Sequence, residues 1–193
     1  MPKHIGLFFG SFNPVHTGHM IIAEYMADRT DMQQVWFVVS PHNPLKSRAT
    51  LANDFDRLHM VQLAVDDNPK LRASNIEFSL PKPSYTIDTM AYLHEKYPDH
   101  EFSLIMGSDN LDTIHKWKNY ELLLQRYTIH VYKRTGTEEA KIPENAKVQV
   151  HDVPLLLISS TFIRQSIVDF RSVRYMVPEQ VYQFLDGSRL YRQ

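Results

Sequence analysis

Gly10-Ser-Phe-Asn-Pro-Val-His-Thr-Gly-His-Met20 stands between an apolar run, Ile5-Gly-Leu-Phe-Phe9, and a helical pattern, Ile21-Ile-Ala-Glu-Tyr-Met-Ala27. The order reads as a strand, a tight loop and the first turn of a helix. Gly10 and Gly18 let backbone approach backbone or ligand with no Cβ in the way, and Asn13-Pro14 sets the direction of the loop between them. The helix start expected near Thr17 and Gly18 leaves N–H groups unpaired at the positive end of the helix dipole, a place for a phosphate. His16 and His19, three residues apart across that start, can both turn their imidazoles toward such an anion.

Gln34-Val-Trp-Phe-Val-Val39 is β-branched and aromatic without alternation, as expected of a strand buried on both faces. Strand, helix and strand make a βαβ unit with a right-handed crossover. Ser40-Pro-His-Asn-Pro-Leu-Lys46 follows as a loop at the strand's C-terminal end, where open parallel sheets bind ligands, so Lys46 and Arg48 are candidate phosphate ligands. Asn53 is placed to cap a helix through Asp66, with Phe55, Leu58, Met60, Val61 and residues 63–65 on or near its core side. Residues 71–78 read as one strand or a pair of short ones. Pro81-Lys-Pro-Ser-Tyr-Thr86 opens a helix over 87–97. Glu101-Phe-Ser-Leu-Ile-Met106 is another strand, and Gly107-Ser-Asp-Asn110 after it sets the Asp109 carboxylate at the ligand edge. Trp117 falls in a turn between helical pieces. Residues 127–132 read as a strand, 133–147 as a surface loop and the most mobile segment, and 148–151 with 155–158 as the end of the sheet. Alternating strands and helices fit an α/β, Rossmann-like, doubly wound and mainly parallel sheet with helices on both faces.

A second anchor is Ile158-Ser-Ser-Thr-Phe-Ile-Arg164. Its hydroxyls precede a helix and serve as caps. A helix start lined with Ser159, Ser160 and Thr161, with Arg164 on the same face as Thr161, is also a cradle for β- and γ-phosphates. The tail around 175–185 has Pro178 at a helix start and Gly187 beyond its end; it packs by pattern and carries no evident chemistry.

At 193 residues and 43% hydrophobic, the chain can bury one good core and is expected to form a single domain over 1–193, its helical part from about 160 packed on the rest. A net charge of -1 argues against a general nucleic-acid coat. With no cysteine, disulfides and thiolate metal sites are excluded, and no apolar run reaches membrane-spanning length, so cytoplasm is the default.

The pattern G-x-F-x-P-x-H-x-G-H over Gly10 to His19 resembles the signature of the nucleotidyltransferases related to class I aminoacyl-tRNA synthetases, and in this variant it looks most like the nicotinate-nucleotide adenylyltransferases. The second anchor matches that family's I-S-S-T-x-I-R motif, and Ser84-Tyr85-Thr86-x-Asp88-Thr89 its S-Y-T-x-D-T motif beside the nicotinate pocket. The resemblance implies that His16 and His19 stabilise attack on a nucleotide α-phosphate. It implies ATP contacts at Gly10, Ser11, Phe12, His16, Gly18, His19, Gly107, Ser159, Ser160, Thr161 and Arg164. Contacts to the second substrate fall at Asn13, Lys46, Tyr85, Thr86, Asp109 and Trp117, the indole serving as a stacking platform for the pyridine ring. The reaction implied is transfer of the adenylyl group of ATP to nicotinate mononucleotide, giving deamido-NAD and pyrophosphate, with Mg2+ arriving on ATP. ATP and nicotinate mononucleotide are then the partners, nucleic acid and membrane are not, and a homo-oligomer is left open. Lys118 departs from relatives that carry an aromatic or histidine after the tryptophan.

Three rivals stand beside this reading. Another H-x-G-H enzyme, acting on nicotinamide mononucleotide or phosphopantetheine, shares the first motif. A non-catalytic nucleotide sensor shares the fold. A zinc protein using His16 and His19 lacks further ligands nearby, so no metal ligand is assigned. The blandest alternative is two buried histidines at a helix start.

Overall fold

The computed structural model describes residues 2–41, 51–134, 142, 146–154 and 156–192. In chain order β1 (Lys3–Gly10), α1 (Thr17–Arg29), β2 (Gln34–Val39), α2 (Asp54–Val65) and β3 (Leu71–Ser74) form the first half. α3 (Thr86–Lys96), β4 (His100–Gly107), α4 (Ser108–Asp112), α5 (Tyr120–Arg126), β5 (Ile129–Tyr132), β6 (Val148–His151), α6 (Ser160–Val168) and α7 (Glu179–Asp186) complete it. The strands make one sheet in the order β3-β2-β1-β4-β5-β6, and every pairing is parallel. The chain steps outward from β1 to β3, returns beside β1 as β4, and steps outward the other way. The reversal between β1 and β4 is the switch point where doubly wound sheets bind ligands, beyond the strands' C-terminal ends.

The apolar runs sort by a period of two, as strands covered on both faces must. Phe8, Val35, Phe37, Val39 and Ile105 join α1, α2, α6 and α7 in one core, whereas Ile5, Leu7, Trp36, Val38, Leu104 and Met106 join α3 and α5 in the other. Each large side chain sealed this way contributes about 1.5–3 kcal/mol. Both faces are therefore committed, which leaves the strand ends for chemistry.

The helix expected from Asn53 is α2, whose first turn is capped by the Asn53 Oδ1 accepting the Phe55 N–H at 2.9 Å. Three expectations need correction. Phe55, placed on the core side, is exposed, because the start of α2 turns that position outward against Phe78. Residues 71–78 are one short strand followed by a 3-10 turn, Ile76–Ser79. Residues 156–158 add no strand, and Leu157 is exposed, so the described sheet stops at β6. At the start of α3, Tyr85 occupies the cap position, and no side-chain bond closes that end. Most of the loop expected at 133–147 lies outside the described residues.

Candidate active site

The signature loop closes on itself around aromatic rings. Phe12 takes a positive φ of 44°, which folds its buried ring back over Gly10, where a Cβ would collide with it. Gly10 therefore admits a ring of the loop itself. At Gly18 a Cβ would stand 3.1 Å from His16 Nδ1, a tight contact that the ring would have to ease by a few tenths of an ångström. His16 is the cap residue of α1, with an extended backbone, and its N–H donates to His19 Nδ1 at 3.2 Å. That bond puts the proton of a neutral His19 on Nε2, which makes Nε2 the donor. The His16 and His19 rings stack with centroids 3.7 Å apart and 27° between planes, and the edges of Phe8 and Phe12 brace His19 at 5.9 and 5.1 Å. His16 is buried, and its Nδ1 has no hydrogen-bond partner among the described residues. Burial, assisted by the Arg134 charge, pulls its pKa down to about 4, so the ring is neutral near pH 7.

The loop is tied from three directions. Arg164 Nη1 donates to the Asn13 carbonyl at 2.8 Å and Ser160 Oγ to the Pro14 carbonyl at 2.9 Å, which brings the second motif onto the first. Arg164 Nη2 meets Thr161 Oγ1 at 3.3 Å, while Ser159 caps α6 by accepting the Phe162 N–H at 3.1 Å. From the other side comes Arg57, which is fully buried and donates to the carbonyls of Ser11, Ser40, Pro41 and Ala52 and to Asp54. It knits the exits of β1 and β2 together. The C-terminal tail does more than pack. Tyr191 donates its hydroxyl to Asn13 Oδ1 at 2.6 Å, and that oxygen also accepts the Ala52 N–H, while Thr17 N–H donates to the Met176 carbonyl at 2.9 Å. One N–H at the α1 start expected to face a phosphate is thus taken by the protein itself.

At the end of β4, Gly107 leaves space into which the Asp109 carboxylate, the Tyr132 ring and the Arg134 guanidinium converge. Asp109 Oδ2 pairs with Arg134 Nη1 at 3.2 Å, and Oδ1 is buried with no hydrogen-bond partner among the described residues. The Arg134 N–H donates to Ser108 Oγ at 3.0 Å. Arg134 went unmarked in the sequence although it follows a buried strand at the same edge as Asp109; the rule that singled out Asp109 would have found it.

A third group gathers at the start of α3. Lys118 pairs with Asp88 at 2.8 Å and lies 4.8 Å from the Tyr85 ring centroid, which joins the turn after half-buried Trp117 to Tyr85 and Thr86. The Trp117 N–H is occupied by the Ile114 carbonyl at 2.8 Å. Beneath Tyr85 and Thr86, the buried carboxylate of Glu77 accepts the hydroxyls of Ser84 at 3.0 Å and Thr89 at 2.8 Å, with Ser40 as a third partner. Burial raises the Glu77 pKa, and those hydroxyls oppose the rise. Lys46 and Arg48 lie outside the described residues.

Residues 7–166 match the cytidylyltransferase-like family model. A protein of Flavobacterium psychrophilum named "Probable nicotinate-nucleotide adenylyltransferase" is 50% identical over 97% of this chain and 98% of its own. One of Christiangramia forsetii with the same name is 44% identical over the whole of both. Among solved structures, a Plasmodium falciparum nicotinic acid mononucleotide adenylyltransferase complexed with NaAD superposes with a TM-score of 0.81 at 20% identity, covering 98% of this chain and 97% of that one. The parallel sheet with its reversal beside β1 is shared with that fold, and the agreement in sequence runs from end to end: this chain belongs to the nicotinate-nucleotide adenylyltransferase family.

Proposed function

We infer that the chain transfers the adenylyl group of ATP to nicotinate mononucleotide, releasing pyrophosphate and forming nicotinic acid adenine dinucleotide. The observation that carries this reading is the pair of bonds from Arg164 and Ser160 to the carbonyls of Asn13 and Pro14, which join both phosphate-facing motifs at the sheet's switch point. The relative from Plasmodium falciparum, bound to NaAD, is consistent with it.

A phosphate oxygen of the mononucleotide attacks the α-phosphorus of ATP in line. The new P–O bond forms as the bond to the β-phosphate bridging oxygen breaks, and the electron pair leaves with pyrophosphate. The attacking phosphate is already anionic, so the protein's task is positioning and charge stabilisation. His19 Nε2–H, aimed by the His16 N–H bonded to Nδ1, donates to the α-phosphate; His16, buried with an unpartnered nitrogen, is the second candidate donor. Ser159, Ser160, Thr161 and Arg164 face the β- and γ-phosphates, near Gly10, Ser11, Phe12 and Gly18. Asp109 Oδ1, an acceptor in search of a donor, suits a sugar hydroxyl beside Gly107. Tyr85, Thr86 and Trp117 form the pyridine side, and Asn13 acts through the shape of the loop.

Mg2+ fits this edge as an ion carried by ATP. The groups assigned to the phosphates are hydrogen-bond donors, and Asp109 already has one oxygen on Arg134, so phosphate oxygens and waters would supply most of its ligands. When bound it neutralises phosphate charge. We place the reaction in the cytoplasm, where ATP is supplied, and treat the chain as one domain because α6 and α7 share the core of α1 and α2.

Pyrophosphate release from ATP, measured with the nicotinate mononucleotide, the nicotinamide mononucleotide and phosphopantetheine in parallel, tests the reading. Fastest release with the acid mononucleotide is the expected result. Preference for either other acceptor, or no release with any, overturns it.

A further inference from the structure

Away from the phosphate edge, His4, Asp31 and His130 each present one ligand atom within 4.8 Å of those of the other two. They come from three places in the sequence: the second residue of β1, the turn between α1 and β2, and the second residue of β5. His4 and Asp31 sit at the end where the strands begin, opposite His16 and His19. No motif marks them.

Two further bonds orient the imidazoles. His4 Nε2 lies 3.1 Å from Ser103 Oγ, and His130 Nδ1 lies 3.0 Å from His151 Nε2. When these outer nitrogens donate, the lone pairs of His4 Nδ1 and His130 Nε2 are left for a shared partner, as in metal sites whose histidines are held by an outer bond. His4 Nδ1 already stands 3.0 Å from Asp31 Oδ2. His130 is fully buried, and its Nε2 has no hydrogen-bond partner among the described residues. A sealed nitrogen without a partner is costly unless something binds it.

We propose that His4 Nδ1, His130 Nε2 and an Asp31 carboxylate oxygen form a binding site for a divalent transition ion, zinc by preference, with water as the fourth ligand. Two imidazoles and a carboxylate are a zinc donor set. Ligands ~2.1 Å from a tetrahedral ion stand about 3.4 Å apart, so groups that lie within 4.8 Å of one another must draw in by at most about 1.4 Å. Asp31 is 75% exposed on a turn and is the group free to make that movement. Binding replaces the proton shared between His4 and Asp31 and fastens the α1–β2 turn to β1 and β5. The site is structural, and the phosphate edge does not depend on it.

The test is titration of chelator-treated, full-length protein with Zn2+ against a chromophoric competitor, and with Co2+ followed by its visible bands. One ion per chain is expected, with binding unchanged in His19→Ala, lost in Asp31→Ala and in His130→Gln, and weakened about 10–100-fold in Ser103→Ala. Asp31→Ala alters an exposed turn and keeps the test informative if His130→Gln does not fold. Zinc should raise the melting temperature of the wild type and leave that of Asp31→Ala where it was. Absence of stoichiometric binding to the wild type overturns the proposal, and so does affinity that survives Asp31→Ala or disappears in His19→Ala.

Discussion

Arg164 donates to the backbone carbonyl of Asn13 at 2.8 Å, a contact between residues 151 positions apart. The same guanidinium that is suited to a phosphate therefore shapes the loop that carries His16 and His19. Both roles need the planar fork of donors, which lysine lacks.

Arg164→Lys is accordingly expected to lose stability and ATP affinity together. One charge-assisted bond is worth about 1.5–3 kcal/mol, so the free energy of unfolding should fall by that order and KM for ATP should rise. Unfolding curves and initial rates across ATP concentrations check it; a lysine variant with normal stability would detach Arg164 from the loop.

In the proposed mechanism His19→Ala removes the donor to the α-phosphate. Comparable losses amount to roughly 100–1000-fold in turnover, or about 2.7–4 kcal/mol. The fall should appear in kcat under saturating substrates, with the circular dichroism of the folded state intact. Wild-type turnover would remove His19 from the chemistry.

The signature loop, the unbroken apolar strands and the capped start of α6 were legible because each writes a local pattern: glycine spacing, β-branched runs, hydroxyls before a helix. What the sequence hid were side chains whose partners are backbone carbonyls or distant residues. Arg57 looks like an ordinary charge in the first turn of a helix, yet it is fully buried because the exits of β1 and β2 bring their carbonyls to it. Tyr191 sits in a tail with no chemical motif, and its contact with Asn13 exists only after the chain has closed. Phe55 fits a helical apolar stripe in sequence, but the stripe's edge falls outside the core.

His16 sets a pH dependence of stability. Its proton binds at 6.5 in the unfolded chain and at about 4 in the fold, so between those values the unfolded state holds more protons. The contribution is complete above pH 6.5 and is lost as the pH falls toward 4, up to about 3 kcal/mol in all. His130, also near 4 through burial, slopes the same way, so the diagnostic is the difference between variants. Urea unfolding at pH 7 and pH 4.5 should show a stability loss about 2 kcal/mol smaller in His16→Gln than in the wild type. Equal losses would place no titration at His16.

Glu77 accepts hydrogen bonds from Ser84, Thr89 and Ser40 next to Tyr85 and Thr86, the proposed pyridine side. In Glu77→Gln one of the accepting oxygens becomes a donor and faces a hydroxyl. Disturbing a buried bond of this kind costs about 1–3 kcal/mol, and the strain falls on Tyr85 and Thr86. KM for nicotinate mononucleotide is expected to rise roughly tenfold, with KM for ATP little changed. A rise confined to ATP would contradict the assignment of that segment to the mononucleotide.

The most direct measurement is a crystal structure with a non-hydrolysable ATP analogue. An α-phosphate oxygen is expected within hydrogen-bond distance of His19 Nε2, and the terminal phosphates against Ser159, Thr161 and Arg164. A triphosphate lodged elsewhere, or one that meets the Arg164 cradle with both imidazoles turned away, would contradict the proposed mechanism.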